Sequence, residues 1–320
     1  MRRRAPVLVL ASAAALMLGG VAAGGNGGLL PPPPHSPNAE RITDTYIFVL
    51  AFTGAIFLIV EGALVVFAVR YRRGRRPRTV DGPQIHGATR LEIIWTIVPV
   101  LVLVAIGGFV FYKLPGIVDP PSAGAANETT IVVEGSQFYW LFRYPNGAVS
   151  VGTMVAPADT VVNETVVAPV TDVNHSWWVP ELGPKIDAIP GKINHTWFEA
   201  PVGEYVARCA ELCGLQHAKM DAVVRVVPRA EYEAFIATRL TSEVELGKET
   251  FDEVCLVCHR LDERLIGPAL RGNPLLVDRQ ALELLLREGR GMMPPVGANW
   301  TDEQIDALVA YTKTLPSDDN

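Results

Sequence analysis

Two clusters of soft, electron-rich side chains carry the chemistry this chain of 320 residues can do. The first, C-A-E-L-C-G-L-Q-H-A-K-M, runs from Cys209 to Met220. Cys213 follows Cys209 by four positions, His217 follows by four more and Met220 by three, so one folded loop can aim two thiols, an imidazole and a thioether at one point. Thiolate, imidazole and thioether together select copper over magnesium, calcium or manganese. His175, in N-H-S-W-W-V-P, offers a second nitrogen from a stretch stiffened by Trp and Pro. A mononuclear blue-copper site needs a single Cys, so the extra thiol points to two copper ions bridged by two thiolates. A closed zinc site of two Cys and two His, or a Cys209–Cys213 disulfide in an exported chain, are the other readings these residues allow.

The second cluster is Cys255-x-x-Cys258-His259, the spacing of covalent c-type haem attachment, in which both thiols form thioethers and the adjacent imidazole ligates iron. On its own, the motif also fits a redox CxxC followed by a chance His. I-G-P-A-L at Ile266 to Leu270, M-M-P-P at Met292 to Pro295 and a closing helical pattern T-D-E-Q-I-D-A-L-V-A-Y-T-K follow it. The chain has four cysteines, two for each cluster, so no structural disulfide is expected.

Positioning these clusters requires several modules. A hydrophobic content of 49% and a mean hydropathy of +0.23 are too apolar for one water-soluble domain. Residues 1–24, with Arg2, Arg3 and Arg4 before an apolar Val7 to Leu18 and small residues near Ala23, have the pattern of a secretory signal peptide. Residues 25–44, Gly- and Pro-rich as far as Pro37, are expected to be flexible. Tyr46 to Val69, interrupted only by Glu61, and Ile93 to Tyr112 are long enough to span a membrane, giving a helical hairpin over 45–113. Glu61 within lipid is costly unless it faces protein or water, which points it at a partner subunit. Arg70, Arg72, Arg73, Arg75, Arg76, Arg78 and Arg90 against Asp81 place the intervening loop in the cytoplasm and the metal loop on the outer face. Thr89-Arg90-Leu91-Glu92 has capping-box spacing for the start of the second helix. From Thr129 short β-rich runs predict a sandwich over 128–228, with the metal loop just before a last strand at Ala222 to Val227. A linker over 229–241 and an all-α domain over 242–317 complete the chain. His35, His86 and His195 read as surface residues. The formal charge of −6, with no basic stretch interleaved with aromatics, argues against nucleic acid.

The metal loop, with D-V-N-H-S-W-W-V-P and K-I-D-A-I-P-G, closely resembles subunit II of cytochrome c oxidase. The resemblance covers about residues 40 to 228 and implies a cupredoxin-like domain holding the binuclear CuA centre. Its ligands are then His175, Cys209, Cys213, His217 and Met220 with the Glu211 carbonyl, and the Glu211 side chain binds magnesium shared with a catalytic subunit. H-G-A-T-R-L-E-I-I-W-T resembles the family's second-helix entry, which places Glu92 at the mouth of a proton pathway. The C-terminal residues resemble a class I cytochrome c, with Met293 as axial ligand and Met292 as the fallback. The whole resembles subunit II of a caa-type oxidase, with a cytochrome c fused behind the CuA domain. Electrons would pass from an external donor, a cytochrome c or a bc complex, to haem c, to CuA and on to subunit I, with subunit III as a further partner. Neither apolar run contains a histidine, so the oxygen-reducing centre must belong to subunit I. Where the family commonly has Q-W-Y-W over CuA, this chain has Q-F-Y-W, so Phe138 stands at the electron-entry position and Trp140 at the later Trp. A CuA-bearing nitric oxide reductase could use a similar subunit. Nitrous oxide reductase is disfavoured, because six histidines cannot also supply its second cluster. A membrane-tethered copper storage or delivery protein would explain the metal loop but not the haem motif.

Overall fold

The computed structural model describes residues 29–71, 84, 86–121, 127–240 and 243–315. The expected signal peptide and five arginines of the cytoplasmic loop, at 72, 73, 75, 76 and 78, lie outside them. The chain divides into two compact units, one containing Arg41–Pro115 and the other Pro33–Glu40 with Gly116–Asn320.

In the first unit, α1 (Pro37–Arg70) and α2 (Thr89–Lys113) are long and apolar enough to cross a membrane. Phe48 stacks on Phe109 with centroids 4.1 Å apart, and Lys113 Nζ donates to Asp44 Oδ2 at 2.6 Å, holding the two helices side by side. The capping box expected at Thr89 is not formed, because the helix begins one residue early and Ala88 is its N-cap. Glu92 nevertheless binds a free amide, accepting the Ala88 N–H at 3.1 Å. The segment expected to be flexible to residue 44 turns helical at Pro37, whose fixed φ suits a first helical position. Within the second unit Asn38 is wholly buried and donates to the Trp197 carbonyl at 2.5 Å, which is why these residues are ordered.

The second unit starts with a β-sandwich whose ten strands are β1 (Glu128–Ser136), β2 (Tyr139–Arg143), β3 (Val149–Val151), β4 (Thr153–Pro157), β5 (Val161–Val167), β6 (His175–Trp178), β7 (Ile186–Ala188), β8 (Asn194–Phe198), β9 (Gly203–Cys209) and β10 (Asp221–Val227). One sheet has the order β3-β2-β1-β5-β8 and the other β4-β10-β9-β6-β7. Alternation along the strands sends Ile131, Val133, Trp140, Phe142, Met154, Trp177 and Val224 into a common core. The expected linker 229–241 is instead largely a helix, α3 (Arg229–Arg239). Tyr232, Phe235 and Ile236 recur at helical spacing and pack on the sandwich, Phe235 lying edge-on to Tyr144.

The remaining domain is helical where caps and apolar positions allow it. After α4 (Glu243–Thr250) a wider turn, Phe251–Cys255, leads into the haem motif. α5 (Arg279–Glu288) is capped by Asp278, and α6 (Asp302–Thr312) by a Thr301–Gln304 capping box. Phe251, Leu270, Leu282, Leu286, Trp300, Ile305 and Leu308 form its core, and that core also contains Tyr139, Leu141 and Val151 of the sandwich. Strand β2 is therefore buried on both faces, Trp140 and Phe142 inward, Tyr139 and Leu141 against the helical domain.

Glu164, on β5, is 4% exposed and accepts the Trp177 indole N–H at 2.9 Å. Burial pushes its carboxyl up to about 8, although the indole bond pulls the other way. The folded chain thus keeps a proton that the unfolded chain releases near 4.5, so the contribution of Glu164 to stability is fully present below 4.5 and is lost as pH rises to about 8. Thermal melting of the full chain should show a falling midpoint across that window, flattened in Glu164→Gln; equal slopes in the two proteins would refute the assignment.

Candidate metal and haem sites

Cys209 ends β9, and the loop returns through a short turn at His217–Lys219 to Met220 at the start of β10. The loop ends are tied by Cys209 N–H to the Met220 carbonyl at 3.0 Å and by Asp221 pairing with Arg208. His175 opens β6, which pairs with β9 through Trp177 and Cys209. Two antiparallel ladders thus bring residues 34 positions apart onto one spot. Sγ of Cys209 lies 3.9 Å from that of Cys213 and 3.9 Å from His175 Nδ1. Cys213 Sγ lies 3.7 Å from both His217 Nδ1 and Met220 Sδ, and the Glu211 carbonyl is 3.2 Å from Cys209 Sγ. Every residue in the expected ligand set is brought together. Both thiols are free, their sulfurs 3.9 Å apart. A four-ligand zinc site would leave the buried thioether and the Glu211 carbonyl without a purpose.

Electrostatics favour a cation here. The hydrogen bond between the thiols holds Cys209 down to about 3, while the same bond, burial and the Cys209 charge hold Cys213 above the ordinary thiol range. A cation held between the thiols would favour loss of the second proton. Burial lowers the His175 basicity, but Asp172 and Cys209 outweigh it and the net shift is upward.

Asp172 is a residue that motif reading did not single out. Its Oδ1 lies 3.3 Å from His175 Nε2, leaving Nδ1 to face the sulfurs, and its Oδ2 accepts the Gln137 N–H at 3.1 Å. A carboxylate behind a ligating imidazole fixes ring orientation and tautomer. Its position three before His175 was the available signal, whereas the Gln137 contact comes from the turn between β1 and β2, far off in sequence. Gln137 also donates to the Cys213 carbonyl at 2.6 Å. Phe138 is half-buried beside Gly214, and Trp140 is fully buried, edge-on to His175, with its indole N–H to the Met220 carbonyl at 3.3 Å.

At the haem motif, His259 Nδ1 donates to the Pro268 carbonyl at 2.7 Å, which leaves Nε2 as the free lone pair. Gly267 permits this, since a Cβ there would stand 2.2 Å from His259 Cε1. Burial pushes the Cys255 thiol up to about 12 and raises Cys258 as well. These are neutral thiols in an apolar setting, suited to thioether formation rather than to charge. Met293 packs against the domain core, whereas Met292 is 78% exposed. The residues fit a covalently held haem.

His195 is exposed on β8 beside Thr165, and His35 and His86 are exposed. Glu61 and the Glu211 side chain are exposed, and Glu92 stands at the start of α2.

Residues 26–112 match the transmembrane domain of cytochrome c oxidase subunit II, residues 149–227 match its periplasmic domain, and residues 242–311 match subunit III of the cbb3-type oxidase, a cytochrome c domain. The chain is 32% identical over 312 residues to cytochrome c oxidase subunit 2 of Alkalihalophilus pseudofirmus, covering 87% of this chain and 88% of that one. It is 34% identical over 250 residues to the subunit from Cereibacter sphaeroides, covering 66% and 80%. Among solved structures it resembles the periplasmic domain of subunit II of cytochrome oxidase of Bradyrhizobium japonicum, with 34% identity, coverage of 35% and 94%, and a TM-score of 0.34. With two membrane-spanning helices ahead of a CuA domain and a haem c domain behind it, the chain belongs to the cytochrome c oxidase subunit II family.

Proposed function

We propose that this subunit is the electron-entry arm of a caa-type oxidase, with its own haem c as the immediate donor to CuA. The observation that carries the reading is the presence of both complete ligand sets in one compact unit. When bound, the copper pair and the haem supply reversible one-electron chemistry. His175, Cys209, Cys213, His217, Met220 and the Glu211 carbonyl hold the copper pair, Asp172 orients His175, and Trp140 with Gln137 fixes the backbone of the loop. Cys255 and Cys258 attach the haem, and His259 and Met293 ligate its iron. His/Met ligation raises the iron's potential into a range suited to donating onward. Subunit I accepts the electrons, the exposed Glu211 side chain shares a magnesium ion with it, subunit III completes the complex, and a cytochrome c or a bc complex donates from outside. Phe138, in place of the family's usual Trp, lies over the metal loop, and the tethered donor makes a surface tuned for a diffusing partner unnecessary. Laser-flash reduction of the purified complex tests the reading. Haem c should be reduced first, then copper, then oxygen consumed; rapid nitric oxide turnover without oxygen turnover would overturn it.

Glu92 has a proton role in this reading, delivering to subunit I from the start of α2. Glu92→Gln should slow steady-state oxygen turnover by about 10²-fold or more, the size of a lost proton-transfer group. Haem c to copper transfer should be unchanged. Loss of complex assembly instead would assign Glu92 to helix capping alone.

A further inference from the structure

The helical domain is not merely tethered behind the sandwich; it is seated on it by buried, directional contacts. Tyr139, 3% exposed, accepts the Trp300 indole N–H at 2.8 Å and donates to the Val296 carbonyl at 2.7 Å. A single hydroxyl thus uses both of its capacities on one short segment, which follows directly on Met293-Pro-Pro. Tyr139 cannot lose its proton readily, because burial raises it far above the usual phenol range, so the donor role to Val296 is permanent. Consecutive strand residues point to opposite faces. The neighbour Trp140 therefore reaches through the sheet to the carbonyl of Met220, a copper ligand. The Glu253 side chain lies over Gly152, where a Cβ would meet it at 2.5 Å, and Arg239 binds both the Val149 carbonyl and the Glu249 carboxylate. At the other edge of the same interface, Gln216 Nε2 donates to the Val257 carbonyl at 3.3 Å. Gln216 adjoins His217 in the copper loop, and Val257 lies between Cys255 and Cys258 in the haem loop.

We propose that Tyr139 is a positioning residue that locks the haem domain into one transfer-competent pose, in which the copper loop and the haem-attachment loop meet at Gln216. The inference rests on the electron-entry reading and deepens it, by naming the internal surface on which the fused donor works. It assigns no new redox step. The electron given up by the haem is the one taken by the copper pair, and the chain's contribution is to fix the distance between the loops.

The test uses the full chain in its assembled, metallated complex. Tyr139→Phe removes one oxygen atom and keeps the ring, so the apolar packing remains. Hydrogen–deuterium exchange at Val296 to Trp300 should rise in this variant while that of α6 stays protected. Flash-induced haem c to copper transfer should slow by about threefold or more, within the range of couplings carried by side chains that do not touch either ligand. The copper EPR and haem spectra should be unchanged. In Gln216→Ala the transfer should slow while exchange at Val296 to Trp300 stays as in wild type. Unchanged exchange and transfer in Tyr139→Phe, or raised exchange with unchanged transfer, would overturn the pinning; unchanged transfer in Gln216→Ala would overturn the crossing at Gln216. Absence of haem c to copper transfer in the wild-type complex would instead refute the electron-entry reading, and the exchange data would still report on the docking.

Discussion

Cys209→Ser should eliminate the paired copper centre. Wild-type complex is expected to show the EPR hyperfine pattern of one unpaired electron shared by two equivalent copper nuclei, because Cys209 and Cys213 would hold two ions through shared thiolates. Serine cannot bridge copper as a soft anion, and Cys209 Sγ touches His175, the Glu211 carbonyl and Cys213 at once. Bound copper should fall from about two per chain to one or none, against the 10–100-fold loss of affinity typical of disturbing an outer-shell partner. Retention of the shared-electron pattern after the substitution would refute the binuclear assignment. Removal of copper by a chelator should give the same spectral loss while leaving the haem bands intact, since the haem loop draws no ligand from the copper loop.

Met293→Leu should leave haem covalently bound but lower its reduction potential. The thioether favours ferrous iron, and each tenfold loss of that preference moves a one-electron potential by about 59 mV, so a drop on the order of 100–200 mV is expected. Met292→Leu should shift it by much less, because Met292 is 78% exposed while Met293 packs into the core. Redox titration of the haem α-band decides between them. Reversed effects would move the ligand by one residue.

What the sequence made legible was local. Most of the copper and haem ligands are close in sequence, while His175 and Met293 lie beside conspicuous Trp-Pro and Met-Pro stretches. The two apolar helices were legible by length, and most strands by their Val-rich runs. Long-range contacts decided the rest. Asp172 is held by a hydrogen bond from Gln137 in the turn between β1 and β2, and Asn38 is ordered by a carbonyl 159 positions away. α3 was readable in principle, since Tyr232, Phe235, Ile236 and Arg239 repeat at helical spacing, but its position between two domains suggested a linker. Tyr139 to Arg143 falls within the β-rich runs read after Thr129, and its mostly apolar character is what a strand covered on both faces requires. That the second cover is the haem domain follows only from tertiary packing.

The doubly covered β2 has a consequence for biogenesis. Ribosomes make the sandwich first and the helical domain last, and domains generally fold in that order. Until the final residues through Trp300 and α6 have emerged and folded, Tyr139, Leu141 and Val151 present an apolar, hydroxyl-bearing face to whatever lies outside the membrane. A subunit stopped short of Phe251 would leave that face of the sheet open to water, and folding of the C-terminal residues is what covers it. A chain whose helical domain does not fold around Cys255 and Cys258 should therefore leave Tyr139, Leu141 and Val151 uncovered on the sandwich.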